Sequence, residues 1–211
     1  MAKHSLFDTE ELAATYDRIA RDYAKDHAGD TWAYSMREGF LALLPRHARV
    51  LDVGCGPGFD ARHFAAVGHR VTGIDVAPRF LAMAKRNVPN GTFLRMDMRA
   101  LSFEDAVFDG AWAKGSLLHL SRREALPVLR ELHRVLRPHG VCFVSVKGGR
   151  GSAAVAESDY GYRYARPFTN FGRAEFRRLL TRAGFRVREE VERVKHQPGK
   201  HPWLQFLAEK Q

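Results

Sequence analysis

Cysteine is scarce in this sequence, with two residues among 211. Cys55 and Cys142 each lie in or beside an apolar segment, which predicts buried free thiols rather than a disulfide or a metal-binding pair. The Cys/His spacing typical of zinc sites does not occur. We therefore predict no metal site, and the cysteine usage fits a reducing compartment.

Long apolar runs are also missing. No segment approaches the roughly 20 apolar residues that cross a membrane, and the first residues, Met1 to Ser5, lack the core of a signal peptide. We therefore expect a cytoplasmic location and no membrane partner. The length, with 45% hydrophobic and 27% charged residues, is typical of one globular domain.

No block of lysine and arginine stands out, although the net charge is +10 and the pI is near 10.0. Basic residues are interleaved with acidic ones, as in the segment from Arg186 to Arg193, and no nucleic-acid-binding module is recognisable. A nucleic-acid partner stays open but is not favoured. The positive charge is also compatible with an anionic small molecule, including an oxyanion such as tellurite.

The most informative segment runs from Val50 to Gly58. The apolar run Val50 to Val53 predicts a buried strand, three alternating glycines predict a tight turn, and the amphipathic run Phe59 to Val67 predicts a helix. With a second strand at Val71 to Ile74, these elements form a βαβ unit. Glycine permits positive φ and the close approach of a ligand, which the free N–H groups at the start of the helix would face.

Asp75 directly follows the second strand, at the place where a carboxylate can accept hydrogen bonds from both hydroxyls of a ribose. A dinucleotide fingerprint is disfavoured because its third glycine, counted from Gly54, would fall at Phe59. A phosphate-binding P-loop is disfavoured because no Gly-Lys-Ser/Thr follows the turn. The pattern therefore predicts a site for a cofactor that contains a nucleoside.

The pattern Asp52-x-Gly54-x-Gly56-x-Gly58 resembles the first motif of the class I S-adenosylmethionine-dependent methyltransferases, D/E-x-G-x-G-x-G. The run Leu132 to Val141 is similar to the passage that leads into the fifth strand of that family. The run Tyr16 to Tyr23 is similar to a helix that lies over the cofactor in many members with small-molecule substrates. The resemblance covers residues 13–209 in outline.

The resemblance implies an α/β, Rossmann-like fold with a seven-stranded, mostly parallel sheet, helices on both faces and an antiparallel last strand. We expect one methyltransferase domain over residues 1–211. Its parts are N-terminal helices over the cofactor site (1–45), a cofactor-binding core (46–147), a mobile loop (148–170), and a closing helix with two strands (171–211). The expected helices are 9–28, 31–44, 59–67, 78–87, 122–137 and 171–183, and the expected strands are 50–53, 71–74, 92–96, 108–113, 141–146, 185–194 and 203–208.

The resemblance also implies the contacts of S-adenosyl-L-methionine, whose product after transfer is S-adenosyl-L-homocysteine. Asp97 and Met98 are expected at the adenine, and Asp97 has a turn cap as its alternative role. Tyr16 and Tyr23 are expected over the methionine end, or else they only pack as one helical stripe. The remaining expected cofactor contacts are Asp52, Gly54, Cys55, Gly56 and Gly58 at the methionine end, Asp75 and Val76 at the ribose, and Lys114 at the end of the fourth strand.

His119 is the candidate catalytic residue. It follows the fourth strand, at the sheet edge where α/β folds bind ligands, and its side chain titrates near neutral pH. A general base at this place would take a proton from the methyl acceptor. The alternative is a histidine whose hydrogen bonds serve only the structure.

Together these features predict an S-adenosylmethionine-dependent methyltransferase with a small-molecule acceptor. The Asn/Asp-Pro-Pro-Tyr/Phe signature of amino methylation on bases and glutamine is absent after the fourth strand, where Ala113-Lys-Gly-Ser116 stands. Two alternatives stay open: an RNA methyltransferase that uses the basic surface, and a non-catalytic regulatory protein that binds S-adenosylmethionine. No feature predicts an oligomeric state.

Overall fold

The computed structural model describes residues 8–31, 33–193 and 201–211. Residues 1–7, Trp32 and Val194, which belong to expected elements, lie outside this part. The helices are α1 (Thr9–His27), α2 (Tyr34–Ala42), α3 (Phe59–Ala66), α4 (Pro78–Asn87), α5 (Arg122–Val135) and α6 (Arg173–Arg182), with a 3-10 turn at Leu117–His119. The strands are β1 (Arg49–Val53), β2 (Arg70–Asp75), β3 (Thr92–Arg95), β4 (Phe108–Lys114), β5 (Leu136–Gly148), β6 (Ser152–Glu157), β7 (Tyr164–Phe171), β8 (Phe185–Arg193) and β9 (Trp203–Lys210).

The sheet is parallel at its centre. Strands β1 to β5 run parallel in the order β3-β2-β1-β4-β5. Strand β9 lies antiparallel to β5, and β8 lies antiparallel to β9. The predicted α/β fold, mostly parallel with an antiparallel last strand, is therefore confirmed, but the described residues form nine strands rather than the predicted seven.

The two additional strands come from residues 148–170, which we predicted as a mobile loop. Strand β6 pairs antiparallel with β7, from the pair Ser152–Thr169 to the pair Glu157–Tyr164, and β7 continues onto the end of β5. The prediction of a loop was wrong, since these residues form strands. Strand β6 gave no signal in the sequence because it is exposed on both faces. Its sequence therefore lacks the alternation of apolar and polar residues that reveals a half-buried strand.

Helices cover both faces of the sheet. Alternate residues of β4 point to opposite faces, so neighbouring residues pack against different helices. Trp112 faces the cluster that contains α2 and α3, and its ring stacks on Phe143 with centroids 3.8 Å apart. Ala111 and Ala113 face the cluster that contains α5 and α6. None of the helices in the described part is both long enough and apolar enough to cross a membrane.

The substitution Trp112→Ala is expected to lower the free energy of unfolding by about 3–5 kcal/mol, because it empties a fully buried site against Phe40, Phe64 and Phe143. Urea denaturation followed by circular dichroism measures the change. Tyr34→Ala is the matched control, since this ring is 54% exposed and its removal should cost no more than about 0.5 kcal/mol. Equal losses for the two variants would contradict this description of the core.

Candidate functional site

Two adjoining cavities open at the carboxyl ends of the central parallel strands. The first, of about 780 Å³ with its open mouth included, is walled by residues of α1, by the ends of β2, β3 and β4, and by His119. The second, of about 740 Å³ on the same measure, lies at the start of α3. Both are lined by Tyr23, Gly54, Gly56, Lys114 and Gly115. One elongated ligand can therefore occupy both cavities.

The bend between β1 and α3 separates the two cavities, and its three glycines have different tasks. All have positive φ, of 71° at Gly54, 51° at Gly56 and 82° at Gly58. A Cβ built on Gly54 would lie 2.5 Å from the Cβ of Ser116, and one on Gly58 would lie 2.9 Å from Ala84. A Cβ on Gly56 would meet nothing within 4 Å. Gly56 thus presents bare backbone to both cavities, whereas Gly54 and Gly58 permit close packing.

Gly58 is absent from both cavity walls as far as the structure describes them, so its expected ligand contact stays a prediction. The other residues predicted for the site each line at least one cavity. They are Tyr16, Asp75, Val76, Asp97, Met98 and His119 in the first, Asp52 and Cys55 in the second, and Tyr23, Gly54, Gly56 and Lys114 in both.

Asp75 ends β2 and holds the glycine bend in place. Its Oδ2 accepts a hydrogen bond of 2.9 Å from Gly56 N–H, and its Oδ1 accepts one of 2.9 Å from Ala77 N–H. Burial raises the pKa of this carboxyl to about 6, although the backbone N–H groups act in the opposite direction. Each oxygen has a second lone pair, so the carboxylate can still accept hydrogen bonds from a ligand in the first cavity.

The carboxylate of Asp97 accepts more hydrogen bonds from the chain itself than we predicted. Its Oδ1 accepts a hydrogen bond of 2.9 Å from Arg99 N–H, and its Oδ2 lies 2.6 Å from Arg99 Nη2. Thr9 on α1 donates a further hydrogen bond of 3.0 Å to Oδ2. The alternative role of a turn cap is thus present in the structure. A ligand amino group that binds this carboxylate would have to share it with Thr9 or Arg99.

The second cavity contains a buried carboxylate oxygen that lacks a partner. Asp52 is 3% exposed, and its Oδ2 has no hydrogen-bond partner within the described chain. Burial, reinforced by the neighbouring carboxylate of Asp60, raises the pKa of Asp52 well above its usual value. Asp60 itself is bound by Lys114 at 2.5 Å and by Arg37 at 3.4 Å. A buried polar atom without a partner marks a place for a ligand donor or cation.

Ser116 and Asp60 are site residues that the sequence reasoning missed. The hydroxyl of Ser116 is buried in the wall of the first cavity and has no partner among the described residues. Asp60 lies in the first turn of α3, where an acidic side chain is ordinary helix chemistry and gives no separate signal. Ser116 lies two residues after β4, at the sheet edge where α/β folds bind ligands. This position was the available indication that Ser116 belongs to the site.

His119 is held by both ring nitrogens. Its Nδ1 lies 2.7 Å from the carbonyl oxygen of Pro167, which can only accept, so Nδ1 carries the proton. Its Nε2 then accepts the hydrogen bond of 2.7 Å from the Tyr16 hydroxyl. Burial lowers the pKa of His119 to about 3. The general-base role stays a prediction, and the geometry favours a histidine that positions Tyr16.

The hairpin formed by β6 and β7 completes this network. Arg166 donates from Nη1 to the Tyr16 hydroxyl at 3.2 Å, and its Nε and Nη2 each lie 2.6 Å from the carboxylate of Glu157. Burial raises the pKa of Tyr16, whereas the charge of Arg166 acts in the opposite direction. Because Arg166 and Pro167 belong to the segment that we predicted as a loop, neither contact could be anticipated. The hairpin thus fixes α1 over the first cavity.

Tyr23 has the packing role of its predicted alternative, and its contact with the cofactor stays a prediction. It lines both cavities, and it also packs in a ring cluster, with Tyr16 at 5.7 Å and Phe80 at 5.3 Å between centroids. Its other neighbour is His27, whose ring stacks on it at 3.9 Å and 13°. The helical stripe and the ligand-facing surface are therefore the same side of α1.

Part of the chain matches a known domain family. The family described as "Methyltransferase domain" matches residues 50–140. The chain is 36% identical over 138 residues to a malonyl-(acyl-carrier protein) O-methyltransferase of Erwinia pyrifoliae, which covers 62% of this chain and 49% of that protein. The chain thus spans about half the length of the curated relatives it matches.

Solved structures share the fold over most of their length. A 1,6-didemethyltoxoflavin-N1-methyltransferase of Burkholderia thailandensis, solved with 1,6-didemethyltoxoflavin and S-adenosylhomocysteine, is 26% identical, with a TM-score of 0.74 over 100% of this chain and 92% of that one. The (4+2)-cyclase SpnF is 21% identical, with a TM-score of 0.73 over 96% of each chain. The second likeness concerns the fold alone. Because that protein is a cyclase, the same fold also occurs in a protein with another reaction.

His119 is expected to stay neutral, with the proton on Nδ1, at every pH above about 4, because burial opposes its protonation. Nitrogen-15 NMR of the histidine rings measures both the pKa and the tautomer. The Tyr16→Phe variant serves as the comparison, since it removes the donor to Nε2 and leaves the Pro167 contact in place. Titration of His119 near the ordinary histidine pKa of about 6.5 would contradict the geometry.

Proposed function

We propose that this chain, which is similar to methyltransferases in sequence and in fold, is a class I S-adenosylmethionine-dependent methyltransferase that transfers a methyl group to a small-molecule acceptor. The observation that carries the proposal is the continuous cleft, in which one bare glycine bend separates two cavities with complementary polar groups. An adenosyl group with an amino-acid tail has the elongated shape and the polar groups that this cleft fits.

The polar groups of the cleft fit the parts of this cofactor. Asp75, with its two remaining lone pairs, would hold the ribose hydroxyls, beside Val76. Met96 and Met98 offer thioethers to the flat faces of the adenine, with Asp97 at its edge. The orphaned Oδ2 of Asp52 would receive the α-ammonium group of the tail, which would also lie beside the Gly54–Gly56 backbone.

When bound, this cofactor supplies a methyl group on a sulfonium, which is already a strong electrophile. The residues of the chain therefore have to align the acceptor and exclude water. Tyr16, fixed by His119 and Arg166, closes the cleft from the α1 side. Ser116 presents its buried hydroxyl from the opposite side, where it can orient a polar group near the sulfur.

A small-molecule acceptor is supported by the names of two relatives, which act on a carrier-bound malonyl group and on a toxoflavin precursor. The acceptors of those proteins differ from each other. We therefore propose for this chain only that the acceptor is a small molecule. A non-catalytic cofactor-binding protein would share the cleft. Release of S-adenosylhomocysteine during incubation with an acceptor panel separates that alternative from the enzyme.

Isothermal titration with S-adenosylhomocysteine tests the proposal directly. The chain is expected to bind it and not NADH, and Asp75→Asn is expected to weaken binding by about 10- to 100-fold, because it removes a charged hydrogen-bond acceptor. Asp159→Asn is the matched control, since this exposed carboxylate lines neither cavity in the described structure. Tighter binding of NADH than of S-adenosylhomocysteine would reject the proposal.

Binding is also expected to depend on pH. The ionised carboxylate of Asp75 is the better acceptor for two ribose hydroxyls, and it predominates above its pKa of about 6. The contribution of Asp75 to the affinity should therefore be constant above that value and fall by up to about tenfold per pH unit below it. Titrations between pH 5 and pH 8 measure the slope. If Asp75→Asn shows the same acid slope as the unchanged chain, the slope does not arise from Asp75.

A further inference from the structure

Aromatic rings surround the outer part of the second cavity. Tyr23 and His27 form a stacked pair on α1, with ring planes 13° apart. Trp203, at the start of β9, lines the same cavity, and a Cβ built on Gly115 would sit 3.3 Å from its ring. Phe59 adds a fourth ring from the start of α3. Rings placed in this way bind flat aromatic molecules by stacking and edge contacts.

The charged groups in the same wall are mostly acidic. Its described residues include the carboxylates of Asp30, Asp52 and Asp60 and the ammonium group of Lys114. Lys114 is bound to Asp60 at 2.5 Å, and Asp60 is also bound by Arg37, so these charges compensate one another. Of the charged groups in this wall, the carboxylates of Asp52 and Asp30 remain outside this set of ion pairs. The cavity is thus acidic in a chain whose net charge is +10.

The proposed cofactor would use only part of this cavity. Its tail would lie beside Gly54 and Gly56, with its ammonium at the orphaned oxygen of Asp52. The rings of Tyr23, His27 and Trp203 and the carboxylate of Asp30 are further parts of the same wall. Asp30 is exposed, and its charge acts on Tyr23, so it lies beside the ring pair.

We propose that the methyl acceptor is a flat, nitrogen-containing ring compound, neutral or cationic, that binds between Tyr23, His27 and Trp203 with its positive or N–H-bearing edge toward Asp30. The proposal rests on the proposed function and adds the class of the acceptor. Stacking on three rings selects a flat shape, and cation–π attraction with a carboxylate at the rim selects positive charge. An anion would be repelled by Asp30 and would find no uncompensated cation among the described lining residues.

Three probes that share the indole ring and differ in charge test this inference. They are tryptamine, which is cationic, tryptophol, which is neutral, and indole-3-acetate, which is anionic. Each is titrated calorimetrically into the protein saturated with S-adenosylhomocysteine. Affinity should fall in that order, by about tenfold from the first to the last. Equal or tighter binding of indole-3-acetate, or no binding of any probe at millimolar concentration, would overturn the proposal.

Two variants locate the binding groups. Asp30→Asn should reduce the preference for tryptamine over indole-3-acetate by about threefold or more, because it removes the rim charge. Trp203→Leu should weaken all three probes, because it removes one ring of the wall. The matched controls Asp159→Asn and Tyr34→Leu should change neither result, since both residues lie outside the described cavity walls. Unchanged probe binding in both test variants would place the acceptor elsewhere.

The affinity for S-adenosylhomocysteine, measured first for every protein, serves as the check on folding and separates the two proposals. If the unchanged chain does not bind S-adenosylhomocysteine, the proposed function fails. If it binds S-adenosylhomocysteine but prefers the anionic probe, the proposed function stands and the acceptor class is wrong.

Discussion

The hydrogen bond from Gly56 N–H to the carboxylate of Asp75 is the contact on which the cleft depends. It joins the end of β2 to the bend after β1, and the N–H groups of Gly54 and Cys55 strengthen the same junction by donating to Ile74 O. The contact fixes a bare stretch of backbone between two cavities. Asp75 also lines the first cavity, so we propose that one residue serves both as a structural anchor and as a ligand group.

The charge of the whole chain is a poor guide to the charge of its cleft. The net charge of +10 left an anionic acceptor or a nucleic acid open, but five of the seven charged residues that line the two cavities are carboxylates, with Arg99 and Lys114 as the two cations. The basic side chains nearest the cleft are paired, as Arg166 is with Glu157 and Lys114 with Asp60. Because Coulomb energy falls with distance and is screened at the surface, these local pairs decide what the cleft accepts.

The sequence was sufficient for those features that depend on short spacing. The glycine bend, the place of Asp75 at a strand end and the first five strands follow from patterns within a few dozen residues, and the structure agrees with them. The contacts of His119 with Tyr16 and Pro167 join distant parts of the chain, so no local pattern could predict them. The hairpin of β6 and β7 was missed because a strand exposed on both faces has no hydrophobic period. The packing of Gly58 against Ala84 on α4 also joins separate elements, so its motif position alone did not reveal it.

We propose that one adenosyl ligand lies across the glycine bend, with its sugar at Asp75 and its tail at Asp52. A crystal structure of the complex with S-adenosylhomocysteine tests this claim most directly. It should show both ribose hydroxyls within hydrogen-bond distance of the Asp75 carboxylate and the α-ammonium group at the Asp52 side of Gly56. A ligand bound outside this bend, or an Asp75 side chain turned away from the ribose, would contradict the account.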